Sequence, residues 1–107
     1  MIIIKTTVNK ISVEKKITNE LIKKKYALCI NVLNNNTSIY EWKNRIVKSK
    51  EKILFIKTLP KNESIVYKTI KKLHNYDIPE ILTIRLTNVD KNYLEWMKNN
   101  INMQEND

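Results

Sequence analysis

Residues 27–58 read ALCINVLNNNTSIYEWKNRIVKSKEKILFIKT. The stretch is rich in Ile, Val, Thr and aromatic side chains and contains no Gly or Pro, so it favours extended backbone over helix. Residues 27–33 form one expected strand, and residues 37–43, with Ile39, Tyr40 and Trp42, continue strand-like. Lys43-Asn44-Arg45 reads as a tight turn. The chain then runs extended through Ile46-Val47 to 52–58. Taken together, 27–58 is expected to be a long antiparallel hairpin arm. Asn34-Asn35-Asn36 reads as a turn within it. The whole chain lacks Gly, so Asn is the residue left to adopt positive φ.

Working outward, residues 1–8 read as a strand carrying Ile2, Ile3, Ile4 and Val8. Asn9 is the expected cap of a helix over about 10–25, where Val13, Ile17 and Leu21 recur at four-residue intervals. Lys23-Lys24-Lys25 falls at its C-terminus, where the helix dipole favours cations. Downstream, Pro60 ends the arm, and Asn62 or Ser64 is the expected cap of a second helix. Its buried face is Ile65, Val66, Thr69, Ile70 and Leu73. His74–Glu80 is a loop in which Pro79 keeps Ile78 out of helical conformation. Residues 81–87 read as a strand. Asp90 caps a terminal helix lined by Tyr93, Leu94, Met97 and Ile101. Residues 102–107 are polar and expected to fray.

The order β-α-β-β-α-β plus a terminal helix predicts an α+β, ferredoxin-like fold: a four-stranded antiparallel sheet with helices on one face. With 107 residues, one domain is expected over 1–107. An antiparallel sheet with one wet face alternates apolar and polar side chains. Ile2-Ile3-Ile4, Ile53-Leu54-Phe55-Ile56 and Ile81-Leu82 instead put apolar groups on both faces. The second face therefore needs a cover, and a sister subunit is the expected one. A projecting two-stranded arm, marginal alone in water, points the same way.

The formal charge is +9, carried by 18 Lys and only 2 Arg, beside 15 Asn and 17 Ile. Lys, Asn and Ile share A/T-rich codons, so the skew needs no polyanion partner to explain it. Arg, the better phosphate and guanine ligand, is scarce. Nucleic acid is therefore not the expected partner, although a Lys-rich polyanion binder stays open as an alternative. No apolar run is long enough for a membrane span, and Met1-Ile2-Ile3-Ile4 meets Lys5 too soon for a signal peptide. One cysteine, Cys29, fits a reducing, cytoplasmic setting.

Several segments resemble the CutA divalent-cation-tolerance family. They are Tyr26-Ala27-Leu28-Cys29-Ile30-Asn31-Val32, Thr37-Ser38-Ile39-Tyr40-Glu41-Trp42-Lys43, Ile56-Lys57-Thr58, His74-Asn75-Tyr76-Asp77-Ile78-Pro79-Glu80 and Tyr93-Leu94-Glu95-Trp96-Met97. The resemblance covers roughly residues 1–101. It implies a ferredoxin-like subunit in a homotrimer similar to PII-type signal proteins, with a link to copper or another divalent cation. The metal ligands it implies are a Cys at the end of the first strand and two adjacent His before the loop tyrosine. Those positions are Thr6, Leu73 and His74 here, so only His74 is left as a metal ligand, where three or four protein ligands are usual.

The remaining candidates are weighed against packing roles. Tyr40, Trp42 and Tyr76 are expected walls and gate of an intersubunit cleft, or else aromatic packing. Trp96 is expected to stack on Tyr93. Lys57, Glu51 and Glu80 form either an anion-binding group or an interface ion pair, with the resemblance placing Lys57 near the 74–80 loop of the same or an adjacent subunit. His74 either serves the cleft or simply ends its helix. Cys29 reads as a small hydrophobe, and Met97 and Met103 as structural or disordered. No Gly-rich phosphate loop, CxxC or HExxH motif is present. The expectation is a non-enzymatic homotrimer that binds a metal or small ligand, or signals; a trimeric protein-interaction scaffold is the rival.

Overall fold

In the computed structural model, residues 1–103 are described. β1 (Ile2–Val8) leads into α1 (Ile11–Lys23), β2 (Cys29–Trp42) and β3 (Arg45–Thr58). A 3₁₀ turn (Pro60–Asn62) opens α2 (Glu63–Leu73), followed by β4 (Ile81–Arg85) and α3 (Lys91–Asn100). The four strands lie in the order β2-β3-β1-β4, all antiparallel. This is the expected split-βαβ sheet with its added helix.

The periodicity of each element explains what it buries. Val13, Ile17 and Leu21 of α1 and Val66 and Ile70 of α2 meet Ile2, Ile4, Val8, Leu54 and Ile56 of the sheet. Each such side chain taken out of water stabilises the fold by about 1.5–3 kcal/mol. The opposite faces of α1 and α2 carry the lysines. On the sheet, the partners across the ladder fix the second face: Ile3 opposite Ile84 and Lys57, Lys5 opposite Leu82 and Phe55, Thr7 opposite Ile53. Leu82 and Ile84 remain exposed there. α1 and α2 thus cover one face; α3 reaches the second through Tyr93, beside Lys57, and Leu82 and Ile84 leave that face with an apolar surface.

The arm is a ribbon that outruns the sheet. β1 pairs only with 52–58 of β3, so Arg45–Glu51 pairs with β2 alone. It stretches the subunit to 46 Å, with a radius of gyration of 14.7 Å against about 13 Å for an ordinary domain of this length. Lys43 (φ 49°) and Asn44 (φ 64°) make the two-residue tip, as a type I′ hairpin turn requires.

Five local expectations are corrected. Asn34-Asn35-Asn36 is not a turn; β2 is continuous, and a bulge falls between Leu33 and Asn36, with Asn35 at φ 60°. Asn9 does not cap α1: Lys10 holds that position with no side-chain cap, and the Asn9 carboxamide accepts from Asn75. Asn62 precedes α2 without capping it. Fully buried, it donates instead to the Tyr26 and Asn102 carbonyls at 3.0 and 2.9 Å. Asn102, expected in the frayed tail, is tied down as well, its backbone N–H donating to Lys25 at 2.8 Å; residues 104–107 of that tail lie outside the described residues. Asp90 does cap α3, accepting from the Tyr93 N–H at 3.1 Å, and the fourth strand ends at Arg85 rather than residue 87.

Candidate functional site

The bulge in β2 builds the site. Leu33 faces Ile53, but beyond the bulge Asn36 faces Glu51, so β2 has spent two residues against one. A slip of one residue inverts every later side chain. Ser38, Tyr40 and Trp42 therefore share the face of Thr7, Ile53 and Glu51; strict alternation would have put Thr37, Ile39 and Glu41 there.

On that face lies a cleft of about 810 Å³. β1 supplies Lys5 and Thr7, β2 supplies residues 36–40 and Trp42, with Thr37 and Ile39 reaching its edge from the strand's other side, and β3 supplies Val47, Glu51 and Ile53. The loop after α2 closes it with Tyr76, Asp77, Ile78 and Glu80. The aromatic and apolar groups form walls, and polar groups converge at the root of the arm.

Glu51 is the centre of that polar group, with 9% of its surface exposed. The Tyr76 hydroxyl donates to its carboxylate at 2.7 Å. Burial works to raise the Glu51 pKa, but hydrogen bonds from Ser38, Tyr76 and Thr7 outweigh it and hold the carboxyl below its ordinary value. Ser38 is itself fixed by Asn36 at 3.1 Å. The Tyr76 phenol is pushed well above its usual range, by burial first and by the Glu51 carboxylate second. The pair is thus a carboxylate and a protonated phenol.

His74 fastens the loop. Its Nε2 faces the Thr7 carbonyl at 2.8 Å, and its Nδ1 accepts the Tyr76 backbone N–H at 3.1 Å. Only the neutral tautomer with hydrogen on Nε2 satisfies both contacts. Its ring lies 4.4 Å from that of Tyr76. With both nitrogens occupied, no lone pair is left for a metal while the loop keeps this form.

Of the residues singled out from the sequence, Tyr40, Trp42, Tyr76 and Glu80 line this cleft, while His74 stands behind it. Lys57 does not join them. Within the subunit it sits with its ammonium 5.8 Å from the centre of the Tyr93 ring, beside Cys29 in the ladder. The lysine that meets Glu80 is Lys5, at 3.4 Å; its i, i+2 position on the strand among isoleucines was the available signal. Cys29 is half-buried, its free thiol hydrogen-bonded with the Tyr93 hydroxyl. Trp96 stacks on Tyr93 at 5.6 Å, as expected.

A family model for the CutA1 divalent ion tolerance protein matches residues 2–100. The chain belongs to the CutA1 divalent ion tolerance family. Protein CutA, chloroplastic, of Arabidopsis thaliana is 32% identical over 98 residues, spanning 92% of this chain and 54% of its own length. The divalent-cation tolerance protein CutA of Thermus thermophilus is 31% identical over 94 residues, 88% of this chain and 91% of that one. The solved structure of the Thermus protein superposes with a TM-score of 0.88 at 29% identity, covering 95% of this chain and all of the other. The chain thus spans most of its bacterial CutA relative and about half of the plant one.

The metal ligands implied by the CutA resemblance do not fit these residues. Thr6 is fully buried, and its hydroxyl has no hydrogen-bond partner. Leu73 offers no donor atom, and both His74 nitrogens are engaged. Among the described residues, no three His, Cys, Asp or Glu side chains converge.

Proposed function

We propose that this CutA1-family chain acts in divalent-cation tolerance without being an enzyme, as a homo-oligomer whose clefts bind a small ligand or signal its presence. The observation that carries this reading is the second sheet face. Leu82 and Ile84 lie exposed on it, away from α1 and α2, and the cleft opens on the same side. Sister subunits packed on that face would seal both. Three copies is the number that the family resemblance implies. The non-enzymatic part is supported by the cleft itself: Glu51 is held ionised, Tyr76 is held protonated, and His74 is locked at both nitrogens, so none is poised for proton transfer. No helix among the described residues is long and apolar enough to cross a membrane, and one unpaired cysteine suits a cytoplasmic location.

Multi-angle light scattering at micromolar concentration tests the assembly. A mass of three subunits is expected, and a monomer overturns the reading. Calorimetry with Cu(II), Cu(I) and Zn(II) tests the direct role of metal. Given Thr6, Leu73 and the engaged His74, no stoichiometric site of the family's pattern is expected. The rival, a protein-interaction scaffold, draws support from the same ligand losses. Pull-down from native extract against a surface-scrambled control discriminates it.

A further inference from the structure

The charge of the chain is not spread evenly over it. Residues 10–25 and 60–73, which build α1, α2 and the turns beside them, hold ten Lys and three Glu, a net of +7 in 30 residues. The other 77 residues carry the remaining +2 of the formal +9. A codon skew sets how many lysines a chain has, but it does not gather them on one layer. The helix dipoles favour Lys23, Lys71 and Lys72 in the last turns. They oppose Lys10, at the N-cap of α1, and Lys61, in the 3₁₀ turn that opens α2.

All ten lysines are exposed, and the carboxylates of the layer do little to neutralise them. Glu14 is paired with Lys52 of β3, and Glu63 with Arg85 of β4, both cations from outside the layer. Only Lys24 pairs within it, meeting Glu20 at 2.6 Å. The other nine enter no ion pair among the described residues. The two helices act as one field: Lys24 lowers the Glu20 carboxyl most, and Lys23 of α1 and Lys72 of α2 both add to the pull. This layer is also the side of the subunit that sister copies on the second sheet face leave open.

An unneutralised basic face attracts a polyanion, and its composition selects the kind. It holds no Arg for bidentate base contacts. Its one aromatic, Tyr67, is packed against the core with its hydroxyl on Thr83, so no ring is free for bases to stack on. A membrane-bound helix lays a continuous apolar face into lipid, but the apolar stripe of α1 is already buried in the core. The exposed Ile11 and Ile22 stand at opposite ends of that helix, roughly 16 Å apart. What remains is charge alone, carried as compact ammonium groups on flexible stems. That suits a chain of phosphates with no bases or lipid tails attached.

We propose that the outer face of α1 and α2 binds inorganic polyphosphate, a flexible chain of phosphoanhydride-linked phosphates, through its unpaired lysines. This surface lies on the opposite side of the sheet from the cleft and is independent of what the cleft holds.

The test is fluorescence anisotropy of end-labelled long-chain polyphosphate titrated with the protein. Saturable binding is expected, weakening about a hundredfold between about 50 and 200 mM salt, as release of about five counterions predicts. The triple variant Lys15→Gln, Lys68→Gln, Lys71→Gln is expected to weaken it by about tenfold or more. The control Lys48→Gln, Lys91→Gln, Lys98→Gln sheds the same charge from β3 and α3 and is expected to weaken it less than about threefold. All six lysines are exposed and outside the ion pairs of the described residues, so both variants are expected to keep the melting temperature and the mass of the wild type. Equal weakening by the two variants overturns the proposal, because net charge and not this face then attracts the chain. Absence of saturable binding at the lower salt, or binding insensitive to salt, overturns it as well. Tighter binding of single-stranded oligo(dT) of equal charge overturns it in favour of nucleic acid. Tighter binding of phosphatidylglycerol vesicles overturns it in favour of a lipid surface.

Discussion

Lys25 occupies a place that chemistry reserves for glycine. It sits at φ 57° just past α1. Its N–H bonds to the Ile22 carbonyl, and the next N–H, of Tyr26, bonds back to Leu21. That is a Schellman ending with a side chain where none is wanted. The left-handed region costs a non-glycine residue about 1–2 kcal/mol, part of which glycine would lose again to chain entropy and to the missing cation. Lys25→Gly is expected to raise stability by about 0.5 kcal/mol, read as a higher urea midpoint at fixed protein concentration. Thr6 is a second misfit, a buried hydroxyl with no partner. Thr6→Val keeps its shape and removes the stranded group. It is expected to stabilise by about 1 kcal/mol, measured in the same way. Glu51 gives a pH signature. Its folded pKa lies below the ordinary 4.5, so its stabilisation is complete above that value and is lost as pH falls through the folded pKa. The stability gap between the wild type and Glu51→Gln is therefore expected to narrow on acidification below about pH 4.5, checked by urea melts across pH.

Among the elements, the helices were legible because their spacing is local. Val13, Ile17 and Leu21 mark one face of α1 whatever surrounds it, and all three are buried. The arm was legible as extended chain, and its tip as a turn. What stayed hidden was the bulge. An Asn triplet announces positive φ, and Asn35 adopts it, but a turn and a bulge make the same local demand. Only the pairing of β2 with β3 tells them apart, and that pairing sets which side chains face the cleft. The tip itself is improvable: Lys43 and Asn44 both carry positive φ, where Asn-Gly is the preferred pair. The double change Lys43→Asn with Asn44→Gly is expected to stabilise the ribbon by about 1 kcal/mol. Amide hydrogen exchange on either side of the turn is then expected to slow roughly fivefold.

On the scale of the whole molecule, the two-faced sheet governs behaviour. Leu82 and Ile84 are 47% and 42% exposed in one subunit, on the face away from α1 and α2. If sister subunits cover them, stability is tied to protein concentration. Melting temperature is expected to rise with concentration in the wild type. Ile84→Asp is expected to abolish that dependence and to yield subunits of about 12.8 kDa by light scattering, since burying an unpaired carboxylate there costs several kcal/mol.

Element order, helical faces and the surplus of apolar groups on the sheet were all readable from residues 1–103, because each depends on spacing within a short window. So was most of the cleft wall, through Tyr40, Trp42, Tyr76 and Glu80. The partners inside the cleft were not. Tyr76 reaches Glu51 across 25 positions and His74 reaches Thr7 across 67, while Lys5 rather than Lys57 stands beside Glu80. Such contacts depend on strand register and on where a loop lands. Those are set by the packing of the complete chain, and no local pattern carries them.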